Sequence, residues 1–189
     1  MTPDIMVKDI TASDITASIV DCTFAEHAAT ILDIFNEAIA NSTALYDYHP
    51  RSLDSMQRWF ETKAAGHFPV LGALDASGHL LGFASYGTFR DRPAYKYTVE
   101  HSVYVHARER GRGIGRQLMQ QLIARARGQE FHLLVGAIDV GNRASISLHE
   151  ALGFVHAGTI RQAGFKFGRW LDLAFYQLLL ETPRQPMDG

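Results

Sequence analysis

The chain has a single cysteine, Cys22, among its 189 residues. No disulfide can form within it, and no CxxC pair exists to hold zinc or cycle electrons. A reducing cytoplasm is therefore the expected compartment. No apolar run approaches the roughly 20 residues of a membrane span, so no membrane partner is expected. Residues 1–20 lack a basic stretch followed by an apolar one, so nothing there signals secretion. Basic charge is not in excess: 18 Lys and Arg stand against 20 Asp and Glu, a formal net charge of −2. A dedicated nucleic-acid-binding module carries a basic surplus, so no nucleic acid partner is expected either. Internal repeats and low-complexity linkers are missing. The nine histidines show no zinc-type spacing, and no metal site is expected.

What is present is an ordinary globular composition, 47% hydrophobic and 20% charged. A chain of this length fits one domain with a substantial core. Residues 1–17 read as an N-terminal extension, 18–182 as the domain and 183–189 as a flexible tail. Ser18–Thr23 reads as a short strand. Ile31, Ile34, Phe35, Ala38 and Ile39 recur at helical spacing, giving a helix that ends near Asn41. Ser52 caps a second helix striped by Leu53, Met56, Trp59 and Phe60 and stopped by Gly66. The period then changes. Pro69–Leu74 and His79–Thr88 read as a hairpin around Asp75–Gly78. After an Arg- and aromatic-rich loop, Phe89–Tyr95, Tyr97–His106 returns to strand character. Ile114, Leu118, Leu122, Ile123 and Ala126 mark another helix. His132–Asp139 reads as a strand and Ala144–Leu152 as a helix. Two last β stretches follow, near Phe154–Thr159 and Arg169–Leu180. A hairpin in the middle and two strands at the end point to a mixed sheet rather than a doubly wound one.

The most informative segment joins Val103-Tyr104-Val105 to a helix through Arg110-Gly111-Arg112-Gly113-Ile114-Gly115-Arg116. Glycines there let the backbone turn sharply and expose its N–H groups. The helix N-terminus adds free amides and a positive dipole end, and three arginines add charge, so a pyrophosphate-bearing ligand fits. The Gly-Lys-Ser/Thr of a Walker A loop is missing. A dinucleotide fingerprint fails too, because Gly115 follows Gly113 by two residues instead of three.

Arg110-x-x-Gly113-x-Gly115 resembles the signature of the GNAT superfamily of acyl-CoA-dependent N-acetyltransferases. Three further stretches are similar to the phosphinothricin and methionine sulfone/sulfoximine acetyltransferases within it. They are Arg92–Tyr95 with Thr98–Val105, then Asn142–Phe154, then Gly164–Asp172. The resemblance implies an α/β fold of the α+β type, with a mixed, mostly antiparallel sheet flanked by helices, a diverging strand pair and a glycine-rich pyrophosphate turn. It implies acetyl-CoA as cosubstrate, a small-molecule amine as partner and a homodimer. Val103, Tyr104 and Val105 would pair with the pantetheine arm, and Arg110 to Arg116 would hold the pyrophosphate. Asn142 and Ser145 would contact the CoA arm; a helix cap explains Asn142 equally.

Attack on a thioester needs a neutral amine, hence a base, and a donor for the oxyanion, such as a strand N–H. By resemblance Glu100 is the candidate base and His149 the second. Strand alternation puts Glu100, Ser102 and Tyr104 on one face and Val99, His101, Val103 and Val105 on the other. A β-bulge, expected in this fold, would break that tally. Arg90 and Arg92 would meet the substrate carboxylate, with Phe89 and Tyr95 as walls. Ser42–Tyr46 lies where the family's loop closes over substrate, but Leu45-Tyr46-Asp47-Tyr48 departs from the family's usual Phe. Phe165, Phe167 and Trp170 either help line a shared cleft or pack in the core. Cys22 reads as a core residue. The expected activity is acetylation of the α-amino group of a small amino acid analogue. The alternatives are acetylation of a peptide N-terminus or a polyamine, and, in a different class, a non-catalytic CoA-binding sensor.

Overall fold

The computed structural model describes residues 16–188. The expected extension at 1–17 therefore falls almost wholly outside the described residues.

A sheet of seven strands runs in the order β1-β2-β3-β4-β5-β7-β6. The strands are β1 (Ser18–Asp21), β2 (Val70–Leu74), β3 (Leu80–Thr88), β4 (Thr98–Val105), β5 (Leu133–Asp139), β6 (Val155–Lys166) and β7 (Arg169–Leu179). Every neighbouring pair is antiparallel except β4–β5. The mixed sheet read from the hairpin and the two closing strands is thus observed.

Among the described residues four α-helices cover the sheet: α1 (Phe24–Asn41), α2 (Leu53–Ala65), α3 (Ile114–Gly128) and α4 (Arg143–Ala151). Ile31, Ile34 and Phe35 of α1 and Met56 of α2 pack with Val70, Leu80 and Phe83 on one side. Leu118, Met119 and Leu122 of α3 pack with Leu71, Ala84, Val99 and Leu134 on the other. Two apolar layers therefore sandwich the sheet and hold its strands in one register.

Local signals set the helix ends. The Thr23 hydroxyl accepts from the Glu26 amide at 3.3 Å, so α1 begins one turn or more before its apolar spacing becomes visible. Ser52 and Ser55 form a reciprocal cap that starts α2.

Two expectations need correction. The strand expected at Phe154–Thr159 runs on to Lys166. It is an edge strand bonded only to β7, with register shifts at His156/Gly158 and Ile160/Gly164. Those irregularities erase the alternation by which a strand is read. Conversely, β4 carries no bulge against β3: the register is continuous from Val99 opposite Thr88 to Val105 opposite Gly82.

Candidate active site

The parallel pair β4–β5 holds only over Thr98–Glu100 opposite Leu133–Val135. Beyond Glu100 the two strands part. Alternate backbone N–H and C=O groups of 101–105 then face the gap with no strand across from them. Glu100 sits at the apex of that wedge. One cavity of about 710 Å³ lies along the parted stretch, with Val103, Tyr104 and Val105 as its floor; Glu100 itself does not line it. Arg110, Gly111, Gly113, Ile114, Gly115 and Arg116 line one end. Asn142, Ser145 and Leu148 bring in the start of α4; Ser42, Thr43, Ala44, Phe167 and Arg169 form the remaining wall. Of the residues expected to hold a cofactor, only Arg112 does not line this cavity.

The turn has the backbone its sequence requires. Gly111 and Gly113 adopt φ of 76° and 77°, the left-handed region that other residues enter at a cost. Gly113 is also the N-cap of α3, so the first amides of that helix open towards the cavity. The arginines are less available than their number suggests. Arg110 donates to Glu37 at 2.6 Å and to the Val105 carbonyl at 3.2 Å. Arg112 pairs with Glu109. Arg116 has no ion pair among the described residues, so the α3 amides and Arg116 are the groups free to meet an anion.

On β4 the alternation holds. Val99 and His101 are buried on the α3/α4 side, while the Tyr104 ring packs on Phe35 and Phe83 at 5.2 and 5.4 Å on the α1/α2 side. Glu100 therefore shares the α1/α2 face with Tyr104. It is half-buried, and burial raises its carboxyl pKa while the Arg90 guanidinium pulls it back. Burial pushes the Tyr104 hydroxyl up to about 12.

A match to a family model decides the lineage. Residues 31–154 match the acetyltransferase (GNAT) family. The chain belongs to the GNAT acetyltransferase family. The L-methionine sulfoximine/L-methionine sulfone acetyltransferase of Pseudomonas aeruginosa is 51% identical over 154 residues, covering 82% of this chain and 90% of that protein. A GNAT superfamily phosphinothricin acetyltransferase from Sinorhizobium meliloti, solved in complex with AcCoA, superposes with a TM-score of 0.87 at 37% identity. It covers 93% of this chain and 95% of its own. A ribosomal-protein-alanine N-acetyltransferase from Brucella melitensis has a TM-score of 0.83 at 42% identity, covering 86% of this chain and 99% of its own.

Within this GNAT wedge, His149 is 2% exposed and its ring is fully engaged. Its Nδ1 donates to the Ser145 carbonyl at 2.7 Å, which leaves Nε2 as an acceptor. His101 fills that need, Nε2 to Nε2 at 2.8 Å. The two rings lie against each other and against Phe154. A Cβ at Gly136 would stand 3.0 Å from the His101 ring and 3.3 Å from His149 Nε2, so the glycine makes room for the pair. Burial lowers the pKa of both imidazoles and keeps them neutral. A smaller polar cavity beside them is lined by Ala44, Ser102, Asp139, Asn142 and Ser145.

Asn142 serves two roles at once, lining the large cavity and capping α4 through the Ser145 amide at 3.2 Å. The loop expected to meet the substrate is the aromatic one before β4. Arg90, Arg92, Phe89 and Tyr95 do not line either cavity. Phe89 packs edge-on against Tyr95 at 5.7 Å, with the Arg90 guanidinium over its ring. Arg90 nevertheless acts on Glu100.

Sequence reasoning missed three parts of the site. Asp139, at the end of β5, accepts from the Thr43 hydroxyl and lies 3.9 Å from Arg169. His101 stood beside Glu100 in a family stretch, and its alternation onto the α4 face was the available signal. Lys166 had none, because its partners lie more than 120 residues away. Phe165, Phe167 and Trp170 are exposed and not core residues. Cys22 is half-buried against the α1/α2 core, and burial pushes its thiol up to about 12.

Proposed function

We propose that this chain is an acetyl-CoA-dependent N-acetyltransferase that acetylates the α-amino group of a small amino acid analogue. The methionine sulfone, methionine sulfoximine and phosphinothricin type is the leading substrate class. The observation that carries this reading is the parting of β4 from β5 just past Glu100, which leaves Val103–Val105 lining a cavity that also holds the glycine turn. The residues fit the cofactor. Val103–Val105 offer unpaired backbone to the pantetheine arm, and the α3 amides with Arg116 meet the pyrophosphate. Acetyl-CoA, when bound, supplies the activated acetyl group.

Glu100 accepts a proton from the substrate ammonium, and burial suits it to that task by raising its pKa. The unpaired β4 amides are donors where negative charge develops. His149 orients the α4 turn and does not take the proton itself, because both of its nitrogens are engaged. Arg90 and Arg92 would reach the substrate carboxylate from outside the cavity described here.

The exposed apolar side chains of the β6–β7 hairpin, Ile160, Phe165, Phe167 and Trp170, support a homodimer. The single cysteine supports a reducing cytoplasm.

A second reading, acetylation of a peptide N-terminus, is favoured by the likeness to the Brucella melitensis enzyme. A thiol-release screen with acetyl-CoA separates the two. Turnover with amino acid sulfones, sulfoximines or phosphinothricin supports the first reading. Turnover with peptides alone supports the second.

A further inference from the structure

Helix α1 ends at Asn41 without a basic residue in its last turn. Its final carbonyls and those of the following loop still need donors. One side chain from the far end of the chain supplies them. Lys166, 5% exposed, sends its Nζ to the carbonyls of Ile39, Ser42 and Leu45 at 2.7, 2.9 and 2.7 Å. Three acceptors match the three N–H bonds of an ammonium. Among the described residues Asp47 is the one carboxylate acting on it, and burial lowers its pKa. A buried cation spent on three carbonyls is a costly way to close a helix unless the loop it holds must stay in one place.

That loop is part of the site. Ser42, Thr43 and Ala44 line the large cavity, and Ala44 also borders the small cavity beside Ser102, near the apex where Glu100 stands. The loop thus lines both the large cavity and, through Ala44, the small one beside Ser102. Neighbouring contacts fasten it to the same strand. The Tyr48 hydroxyl donates to the Phe165 carbonyl at 2.6 Å, and the Tyr46 ring covers Gly164 so closely that a Cβ there would be 2.6 Å away. The Thr43 hydroxyl donates to Asp139 from the other side.

We propose that Lys166 is a positioning residue for the amine substrate: it staples the Ser42–Leu45 loop so that this loop forms a fixed wall beside the acceptor amine. The inference rests on the acetyltransferase reading.

The test compares wild type with Lys166→Met by thiol-release kinetics, calorimetry with acetyl-CoA and backbone hydrogen exchange. The amine KM should rise about tenfold, with kcat and acetyl-CoA affinity changed by no more than about twofold. Exchange should quicken at residues 42–48. A faster-exchanging loop with unchanged amine KM overturns the proposal, as does an equal rise in KM for both substrates. If Lys166→Met does not fold, Tyr48→Phe removes another tether of the same segment, the hydrogen bond to the Phe165 carbonyl, and should give the same split. An unchanged amine KM there overturns the proposal as well. If wild type releases no thiol, the acetyltransferase reading has failed, and unchanged exchange at 42–48 would then overturn the staple separately.

Discussion

Acidification to pH 5 should cost the fold about 2 kcal/mol through the His101 imidazole, whose pKa burial lowers to about 3, with a further loss of the same sign through His149. Both rings are held neutral by burial, and each gives its proton to a buried acceptor. The ordinary histidine value is 6.5. The unfolded chain therefore takes up protons as pH falls below that value while the folded chain does not. The contribution is fully present above pH 6.5 and is lost progressively as pH drops towards the depressed folded values. Pulling the unfolded state 1.5 pH units below its pKa, at about 1.4 kcal/mol per unit, gives the figure of about 2. Urea unfolding at pH 7.5 and pH 5, followed by tryptophan fluorescence, measures it. His101→Gln keeps an N–H donor for His149 and removes one titrating ring. Its stability should fall by about 2 kcal/mol less than wild type over that interval. Equal falls in both proteins would refute a buried neutral pair.

Glu100→Gln should lower kcat by ~10²–10⁴-fold with acetyl-CoA affinity little changed; a full-rate variant would move the proton transfer to another group. Because burial raises the Glu100 pKa above 4.5 and Arg90 lowers it, the acid limb of the kcat/KM profile should lie above pH 4.5. Arg90→Ala should move that limb to higher pH, and a shift to lower pH would contradict the assignment. Gly113→Ala forces a side chain into φ of 77°, costing roughly 1–2 kcal/mol. Calorimetry should show acetyl-CoA binding weakened by about tenfold, and an unchanged affinity would remove the turn from the cofactor site. Glu37→Gln frees Arg110 from its 2.6 Å ion pair. Acetyl-CoA should then bind more tightly at low salt, with the gain shrinking as salt rises; weaker binding would contradict it.

The glycine turn was legible because backbone conformation is written in residue type: glycine enters the angles seen at positions 111 and 113 without the cost other residues pay. The face of Glu100 was legible because a strand without a bulge keeps a strict period of two. The end of β6 was not, since an edge strand with two register shifts is solvated on most of its length and carries no apolar rhythm. Charge counting in the turn shows only part of its electrostatics, for a related reason. Glu37 reaches Arg110 from α1, across 73 residues, and no local pattern announces such a partner. Lys166 shows the same limit more sharply. Its three acceptors are backbone carbonyls, which every residue has, so side-chain identity at 39, 42 and 45 says nothing about the contact. Arg90 and Arg92 were read as neighbours of the substrate from the family resemblance alone; what no local pattern announces is that their loop packs on itself, Phe89 against Tyr95 with Arg90 over the ring.

The central claim is transfer of an acetyl group to the α-nitrogen of a small amino acid analogue at the β4–β5 wedge. Mass and NMR analysis of the product formed from carbon-13-labelled acetyl-CoA and ¹⁵N-labelled methionine sulfone tests it most directly. The account predicts a carbon-13 to nitrogen-15 amide at the α-position, formed by wild type and nearly lost in Glu100→Gln. Label on another atom, or no labelled product from the wild-type protein, would contradict it.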